Sequence, residues 1–389
     1  MIKITCVIKK IFSSVAKTLL IMFMITLYAV TAYLLMLIVD WRIIAATSLF
    51  VPAMLIFLIG WYLPDGKAQK WFTRISAAVT VIALFGTIVM TGISIYENAV
   101  TIHERDLSDG FGLYRPFDDN SLIARTDKEM PARFSLADAP RLQAKHEYYP
   151  LVSAFVNAIY PESEINDYGA CDYLKANDNP CLINEDKSDV FIGPEEVTEN
   201  ELFDESLAES TVIAKDAVVL YTHESNPVKT VSTDQLKKIL TGKITNWKDV
   251  GGRDMKIKLY TGEHGLANYL LKEYLDCPTI DGEIGIRTLI ILHYGFQTYC
   301  LPYRNVKGAL GFALKSEIDK NYENTHLIAI DGAFPDNANI AAETYPLSYD
   351  ILAITRKNRS ENEKRLINFI LSDVGRELTE KSGLVPVTS

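Results

Sequence analysis

Three long stretches without a charged residue constrain the fold of this chain more than any other feature. Residues 18–39, 43–63 and 75–96 are 22, 21 and 22 residues long and contain no Asp, Glu, Lys or Arg. A helix needs about 20 apolar residues to cross the ~30 Å hydrocarbon core of a bilayer. A helix buried in a soluble protein usually keeps a polar stripe, which these stretches almost lack. We therefore expect three transmembrane helices.

The charges that flank these stretches predict their orientation. The N-terminal tail, residues 1–17, carries four lysines and no acidic residue, and the loop 64–74 carries Lys67, Lys70 and Arg74 against Asp65. Basic residues favour the cytoplasmic side. Both segments are therefore expected in the cytoplasm, and three crossings then place everything after residue 96 outside the cell. The expected location is a multi-pass position in the cell membrane, with a cytoplasmic N-terminus.

Charge divides the chain into two unlike parts. The formal net charge is −10, but residues 1–96 hold eight basic and two acidic residues, which leaves 31 basic and 47 acidic residues for the remainder. The exported part therefore carries a charge of −16 and repels a phosphodiester backbone. This balance disfavours a nucleic-acid partner.

Cysteine positions agree with export of the second part. Four of the five cysteines lie beyond the apolar stretches, and Cys6 lies in the tail. Cys171 and Cys181 enclose nine residues rich in turn formers, which a disulfide could close. Four buried thiols are the alternative, and pairing of Cys277 with Cys300 stays open. No histidine stands at ligand spacing beside these cysteines, so neither a metal nor another cofactor is predicted.

Beyond a polar stalk, residues 97–131, the sequence alternates between strand and helix patterns. The expected strands are 189–193, 217–221, 256–260, 309–313, 327–331 and 350–355. The expected helices are 150–160, 233–240, 267–275 and 362–371, the second of them starting at a capping box formed by Ser232 and Gln235. This alternation predicts an α/β domain with parallel sheets, large enough for two lobes.

A run of 22 residues carries a family resemblance. Residues 231–252, VSTDQLKKILTGKITNWKDVGG, resemble a segment shared by the phosphate-binding proteins of ABC transporters. Further segments resemble the family in the same order: APRL at 139–142, YPLVSAFVNAIYP at 149–161, YRNV at 303–306, GALGF at 308–312, YPL at 345–347, LINFILSDVG at 366–375 and SGLVPV at 382–387. The resemblance covers about 270 residues.

The resemblance implies a type II periplasmic-binding-protein fold with a ligand cleft between two α/β lobes. The domain would occupy residues 132–389. Lobe one would combine residues 132–222 and 345–389, and lobe two residues 223–344. Members of the family capture a solute and deliver it to an ABC permease, so a permease or another membrane protein is the implied partner. The usual members are secreted or lipid-anchored, so three spans are an unusual tether.

Two loops that lead into helix N-termini are the candidate ligand site. Such loops present free backbone N–H groups and the positive end of the helix dipole to an anion. The first has Gln143, Ala144, Lys145 and His146, and the second has His264, Gly265 and Leu266. Glu195 follows a strand near where the family places a ligand-facing acid.

Both loops depart from the family pattern. The family has Asp-Gly-Ser/Ala-Thr in the first loop and Ser-Gly-Ser/Thr in the second, and here only Gly265 is retained. The phosphate-gripping aspartate and hydroxyls are replaced, at a cost of roughly 1.5–3 kcal/mol for each charge-assisted hydrogen bond. The ligand is therefore expected to be another anion, held by Lys145 and protonated His146 or His264, or the domain binds no small ligand at all. Phosphate capture is the third alternative.

The expected function is that of a membrane-anchored extracytoplasmic solute-binding protein. The alternative is a sensory or assembly protein that uses a degenerate binding lobe for protein contacts. An enzyme is not predicted, because no Gly-x-Ser-x-Gly, His-Glu-x-x-His or P-loop pattern occurs in the sequence.

Overall fold

The computed structural model describes most of residues 97–389 and one apolar helix. The described residues are 66–102, 113–166, 170–171, 173–176, 183, 187–194, 205–261, 266–277, 280, 283–284, 303–318, 322 and 324–387. The chain divides into two units, Met1–Val100 and Thr101–Ser389, which are described separately. The basic tail and the predicted spans 18–39 and 43–63 lie outside the described residues.

The described part of the first unit is a single long helix. Helix α1, Lys67–Val100, has 34 residues and contains the third predicted span, 75–96. Its stretch Gln69–Ile93 is long and apolar enough to cross a membrane, since it contains an 18-residue window with a mean hydropathy of 2.0. Large apolar side chains along it are exposed, among them Ile82 and Phe85. This composition agrees with one membrane-spanning helix, and the three-helix anchor as a whole stays a prediction.

The second unit is built on a mixed sheet. Its strands are β1 (Thr101–Ile102), β2 (Leu142–Ala144), β3 (Leu174–Ala176), β4 (Val190–Pro194), β5 (Ala208–His223), β6 (Thr230–Val231), β7 (Lys258–Thr261), β8 (Glu283–Ile284), β9 (Tyr303–Arg304), β10 (Ala309–Leu314), β11 (Thr325–Ile330), β12 (Ser348–Arg356) and β13 (Val385–Pro386). The main sheet has the order β3-β2-β4-β12-β5-β10-β7-β8, with β11 and β13 also paired to β5.

Strand β5 lies in the middle of this sheet and joins the strands on its two sides. Its residues 208–217 pair with β12, and its residues 218–222 pair with β10. We call the strands on the β12 side, with the helices that pack on them, the first half of the domain. The strands on the β10 side, with their helices, are the second half. The chain returns from the second half to the first through residues 345–348, where β12 begins.

The prediction of purely parallel sheets is wrong. Strand β2 is parallel to β3 and β4, and β7 is parallel to β8 and β10. Strands β10, β11, β12 and β13 all pair antiparallel with β5. The helix-strand alternation could not reveal this, because β5 is a continuous 16-residue strand that receives partners from distant parts of the sequence.

Helices cover the sheet and supply much of its core. They are α2 (Tyr149–Ile159), α3 (Thr233–Leu240), α4 (Leu266–Tyr274), α5 (Asn337–Ala341), α6 (Glu361–Ile370) and α7 (Asp373–Lys381). The predicted capping box of α3 is confirmed: the Ser232 hydroxyl accepts from the Gln235 N–H at 3.1 Å, and the Gln235 side chain accepts from the Ser232 N–H at 2.9 Å. Ser360 caps α6 in the same way, with Glu363 as its reciprocal partner.

Trp247 holds a turn of the second half together. Its side chain is fully buried, and its indole N–H donates to the carbonyl of Gly308 at 3.0 Å. Gly252 lies so close that a Cβ there would meet the Trp247 carbonyl at 2.9 Å. The turn 242–252 is therefore a structural element of the second half.

Candidate functional site

The first candidate loop follows a buried strand. Gln143 and Ala144 belong to β2, where Gln143 is 2% exposed and Ala144 is fully buried. Lys145 and His146 follow at the carboxyl end of the strand and are half-buried, and the Lys145 N–H donates to the carbonyl of Ile192 at 3.0 Å. A short 3-10 turn, His146–Tyr148, then leads into α2. The side chains of Lys145 and His146 are therefore partly accessible in this turn, whereas Gln143 and Ala144 lie inside the domain.

The turn ends at a tyrosine that reaches the crossing strands. The Tyr148 hydroxyl lies 3.0 Å from the hydroxyl of Tyr349 at the start of β12. Burial and the charge of Asp216 raise the pKa of both phenols well above the ordinary value. Both hydroxyls consequently stay protonated at neutral pH. The contact connects the candidate loop directly to the point where the chain passes between the two halves.

Asp216 lies at the centre of this junction. It is fully buried on β5, in register with Tyr349 of β12. Its carboxylate accepts from the Ser316 hydroxyl at 2.6 Å, from the Ser316 N–H at 3.2 Å and from the Ala217 N–H at 2.8 Å. Because Ser316 follows β10, this carboxylate joins the crossing strand to the second half.

The electrostatic balance of the junction is set by burial. Burial raises the pKa of Asp216 to about 6, although the hydrogen bonds from Ser316 and Ala217 and the charge of Lys315 act in the opposite direction. Burial likewise lowers the pKa of Lys315, and the negative charge of Asp216 opposes that change. The Lys315 ammonium donates to the carbonyl of Gly383 at 3.4 Å. Hydroxyls, a carboxylate and an ammonium thus meet where the two halves join.

The second candidate loop is described only at its end. His264 and Gly265 lie outside the described residues, as does Glu195, which follows the last residue of β4. Leu266 begins α4 and is 6% exposed, with its side chain in the hydrophobic core. Leu266 therefore packs inward at the helix start, and its contribution to a ligand site is limited to its backbone.

An open pocket of about 170 Å³ lies beside the returning chain. It is lined by Pro346, Leu347, Ser348 and Tyr349 and by α4 residues that include Glu273 and Tyr274. The Ser348 hydroxyl already donates to the Tyr345 carbonyl at 2.8 Å. Because this lining is apolar apart from hydroxyls and one carboxylate, the pocket does not suit an anion.

The cysteine and metal predictions concern groups of which the structure describes only part. Cys171 is half-buried beside β3, and Cys181 lies outside the described residues, so the 171–181 disulfide stays a prediction. Cys277 is 3% exposed, and Cys300 also lies outside the described residues. Within the described ranges, no group of three or more His, Cys, Asp or Glu residues could hold a metal ion.

Sequence reasoning missed Tyr148, Asp216, Ser316 and Tyr349. One signal was available: Lys215 and Asp216 interrupt an otherwise apolar run from Val212 to Tyr221, and charged residues in a strand interior need partners. The partners themselves lie 100 or more residues away in sequence, where no local pattern indicates them.

Curated relatives match about half of the chain. The sequence is 24% identical over 207 residues to the phosphate-binding protein PstS of Borreliella burgdorferi, covering 51% of this chain and 72% of the relative. It is 28% identical over 193 residues to the phosphate-binding protein PstS of Bacillus subtilis, covering 46% of this chain and 59% of the relative. The match thus extends over 59–72% of the length of these two relatives.

The crystal structure of an ABC-type phosphate transport receptor from Vibrio cholerae is similar at a TM-score of 0.45 and 18% identity, covering 64% of this chain and 98% of that chain. The family profile described as the PBP superfamily domain matches residues 173–374, which is more than half of the chain. The chain belongs to the PBP superfamily and carries a solute-binding domain that resembles the phosphate-binding proteins.

Proposed function

We propose that the chain is a membrane-anchored extracytoplasmic solute-binding protein that closes two lobes around a small anion. The observation that carries the proposal is the match of residues 173–374 to the PBP superfamily domain. The curated relatives of the chain, which are phosphate-binding proteins, support it. The names of these relatives describe phosphate binding, and the proposed mechanism is correspondingly lobe closure without covalent chemistry.

The lobes are proposed to be the two halves of the sheet. The chain passes between the halves along β5, near Asp216, and again through residues 345–348. A few residues at such crossings can absorb the dihedral changes of a hinge. Tyr148, beside the first ligand loop, contacts Tyr349 at the second crossing. A ligand at the loop can therefore bias the arrangement of the crossings.

The ligand is proposed to be an anion gripped differently from phosphate in the relatives. Lys145 and His146 stand at the carboxyl end of β2, where the chain enters the turn before α2. His264 and Gly265 precede α4 in the other half. An ammonium and imidazolium groups attract an anion by charge, and histidine loses that charge near pH 6.5. Binding should therefore weaken as the pH rises from 5.5 to 7.5.

Membrane attachment supplies the location. Helix α1 contains a stretch fit to span a bilayer, and residues 18–39 and 43–63 have the same composition. The binding domain is proposed to face outward from the cell membrane, with a membrane permease as its partner.

Isothermal titration calorimetry on the full chain in detergent tests the ligand. Orthophosphate and sulfate are titrated at pH 5.5 and pH 7.5. We expect binding of at least one anion, tighter at the lower pH, and at least a tenfold loss of affinity in Lys145→Met and His146→Gln. Lys175→Met on β3 is the matched control, because Lys175 is an exposed lysine outside the proposed site. Its affinity should equal that of the unmodified chain.

Two results would contradict this part of the proposal. A folded chain that binds neither anion at either pH has no anion site of the proposed kind. Tight phosphate binding that is independent of pH and of both substitutions would show that other groups bind the anion.

A further inference from the structure

The open pocket lined by residues 346–349 lies at the C-terminal end of helix α4. Leu270, Glu273 and Tyr274, all from the last five residues of α4, contribute to its lining. The second candidate loop precedes the opposite end of this helix. Tyr274 comes eight residues after Leu266, which corresponds to about 12 Å along the helix axis. The pocket is therefore separate from the second candidate loop.

Much of the wall of this pocket is apolar. Val218 of β5, Leu270 of α4, Pro346 and Leu347 line it. Its volume is about 170 Å³. Because an apolar cavity of about 150 Å³ holds benzene, the pocket has room for a compact ligand of roughly seven non-hydrogen atoms. The wall favours a ligand whose surface is largely alkyl.

The charge at the pocket is negative. Glu273 is the only charged side chain among the described lining residues, and the neighbouring Lys272 does not line the pocket. Glu273 lies in the last turn of α4, where the helix dipole also places partial negative charge. The net negative charge of residues 97–389 attracts cations over a longer range. These three contributions have the same sign and favour a cation.

The oxygen atoms of the lining do not suit a metal ion. The Ser348 hydroxyl donates to the Tyr345 carbonyl, and the Tyr349 hydroxyl lies 3.0 Å from that of Tyr148. Glu273 then supplies the single carboxylate in the described lining. A hard cation such as Ca²⁺ takes six to eight oxygen ligands, which this set does not provide. The charge is better matched by an organic cation.

The type of organic cation follows from the same inventory. A primary ammonium group carries three N–H donors that need acceptors, whereas a quaternary ammonium group carries none. A quaternary ammonium is attracted by the Glu273 carboxylate and also by the face of a tyrosine ring within about 6 Å. Tyr274 supplies such a ring beside Glu273. The methyl groups of the cation can contact Leu270 and Leu347 without leaving a buried donor unsatisfied.

We propose that this pocket binds a small quaternary ammonium compound of the size of choline. The charged end lies between Glu273 and Tyr274, and the methyl groups contact the apolar wall. Tyr349 also lines the pocket, and its hydroxyl bonds to Tyr148 in the turn after the first candidate loop. A bound cation therefore lies next to the tyrosine pair of the junction. The site is independent of the proposed anion.

Isothermal titration calorimetry on the full chain tests the site. The detergent is a maltoside, which carries no ammonium group, and sodium chloride at equal concentration serves as the blank for choline chloride. Ethanolamine is the second probe, because it has the same hydroxyethyl group on a primary ammonium. Glu273→Gln and Tyr274→Leu alter the proposed site at two exposed positions. Glu380→Gln is the matched control, since Glu380 is also an exposed, second-to-last residue of a nine-residue helix, α7.

We expect saturable binding of one choline per chain. Its affinity should fall at least fivefold in Glu273→Gln and at least threefold in Tyr274→Leu, and stay unchanged in Glu380→Gln. Ethanolamine should bind at least fivefold more weakly than choline.

Three results would overturn this proposal. The first is a folded chain that shows no saturable binding of choline. The second is equal affinity in Glu273→Gln and the unmodified chain, which would place the binding elsewhere. The third is ethanolamine binding as tight as that of choline, because recognition would then depend on charge alone and not on the alkylated ammonium.

Discussion

The carboxylate of Asp216 accepts a hydrogen bond of 2.6 Å from the hydroxyl of Ser316, although 100 residues separate the two in sequence. Asp216 lies on the strand that both halves of the domain share, and Ser316 follows β10 of the second half. The bond therefore fastens the crossing strand to one half at the point where a hinge would act. Its strength depends on whether the carboxyl carries a proton.

The first prediction is that Asp216 lowers the stability of the folded domain as the pH rises from 4 to 6. Burial raises its pKa to about 6 in the folded chain, against roughly 3.9 in an unfolded one. The folded state consequently binds the proton more tightly, so the contribution of Asp216 to stability is greatest below pH 4, declines up to pH 6 and is then constant. Two pKa units correspond to about 3 kcal/mol. Asp216→Asn should abolish this decline, measured as melting temperature against pH.

Asp254→Asn is the matched control for this measurement. Asp254 is exposed, and a hydrogen bond from Asn246 together with the charge of Lys248 lowers its pKa below the usual value. Its titration therefore falls below pH 4, outside the window. An identical pH slope in Asp216→Asn and in the unmodified chain would refute the assignment.

The second prediction concerns Lys215, which lies beside Asp216 on β5. Its ammonium is 2.6 Å from the carboxylate of Glu343 and also bonds to Asp350 of β12. Burial would lower the pKa of Lys215, but the two carboxylates outweigh it and raise the pKa. Lys215→Met should destabilise the domain by about 1–2 kcal/mol, because it strands the partly buried Asp350 carboxylate. Denaturant titration measures the loss.

Two further variants separate this ion pair from ordinary surface charge. Glu343→Gln should have a smaller effect than Lys215→Met, because the Glu343 side chain is 70% exposed. Lys238→Met removes an exposed helical pair with Asp234 and should change stability by less than about 0.5 kcal/mol. Equal losses in Lys215→Met and Lys238→Met would contradict the interpretation.

The third prediction is that Trp247→Phe destabilises the second half by about 2 kcal/mol. The substitution leaves a cavity at a fully buried position and removes the indole donor to Gly308. The Gly308 carbonyl keeps the N–H of Lys258 at 2.8 Å, so the cavity supplies most of the loss. Trp71→Phe, at a side chain 68% exposed on α1, is the control and should leave the domain's melting temperature unchanged. A loss of the same size in both variants would show that the effect is unrelated to burial.

Local signals explain which parts of the fold could be predicted. The Ser232 capping box and the apolar face of α2 depend on residues within four positions of one another, and both elements lie where expected. Strand β5 was predicted as 217–221 but extends from Ala208 to His223, because partners far away in sequence stabilise its charged middle.

The candidate site shows the same division. Lys145 and His146 were predicted as loop residues and lie in the turn after β2, whereas Gln143 and Ala144 belong to the buried strand itself. The contact between Tyr148 and Tyr349 spans 201 residues. Such a pair follows from the topology of the sheet, which sequence periodicity does not determine.

The last prediction is the membrane topology. Flanking lysines place the tail 1–17 and the loop 64–74 in the cytoplasm, and the binding domain outside. Protease added to intact cells should remove a C-terminal epitope and spare an N-terminal one, while lysed cells lose both. In a background with all five native cysteines replaced by serine, an impermeant maleimide should label Trp41→Cys but not Asp65→Cys. Labelling of Asp65→Cys in intact cells would rule out three crossings with a cytoplasmic N-terminus, since that topology keeps the second loop inside.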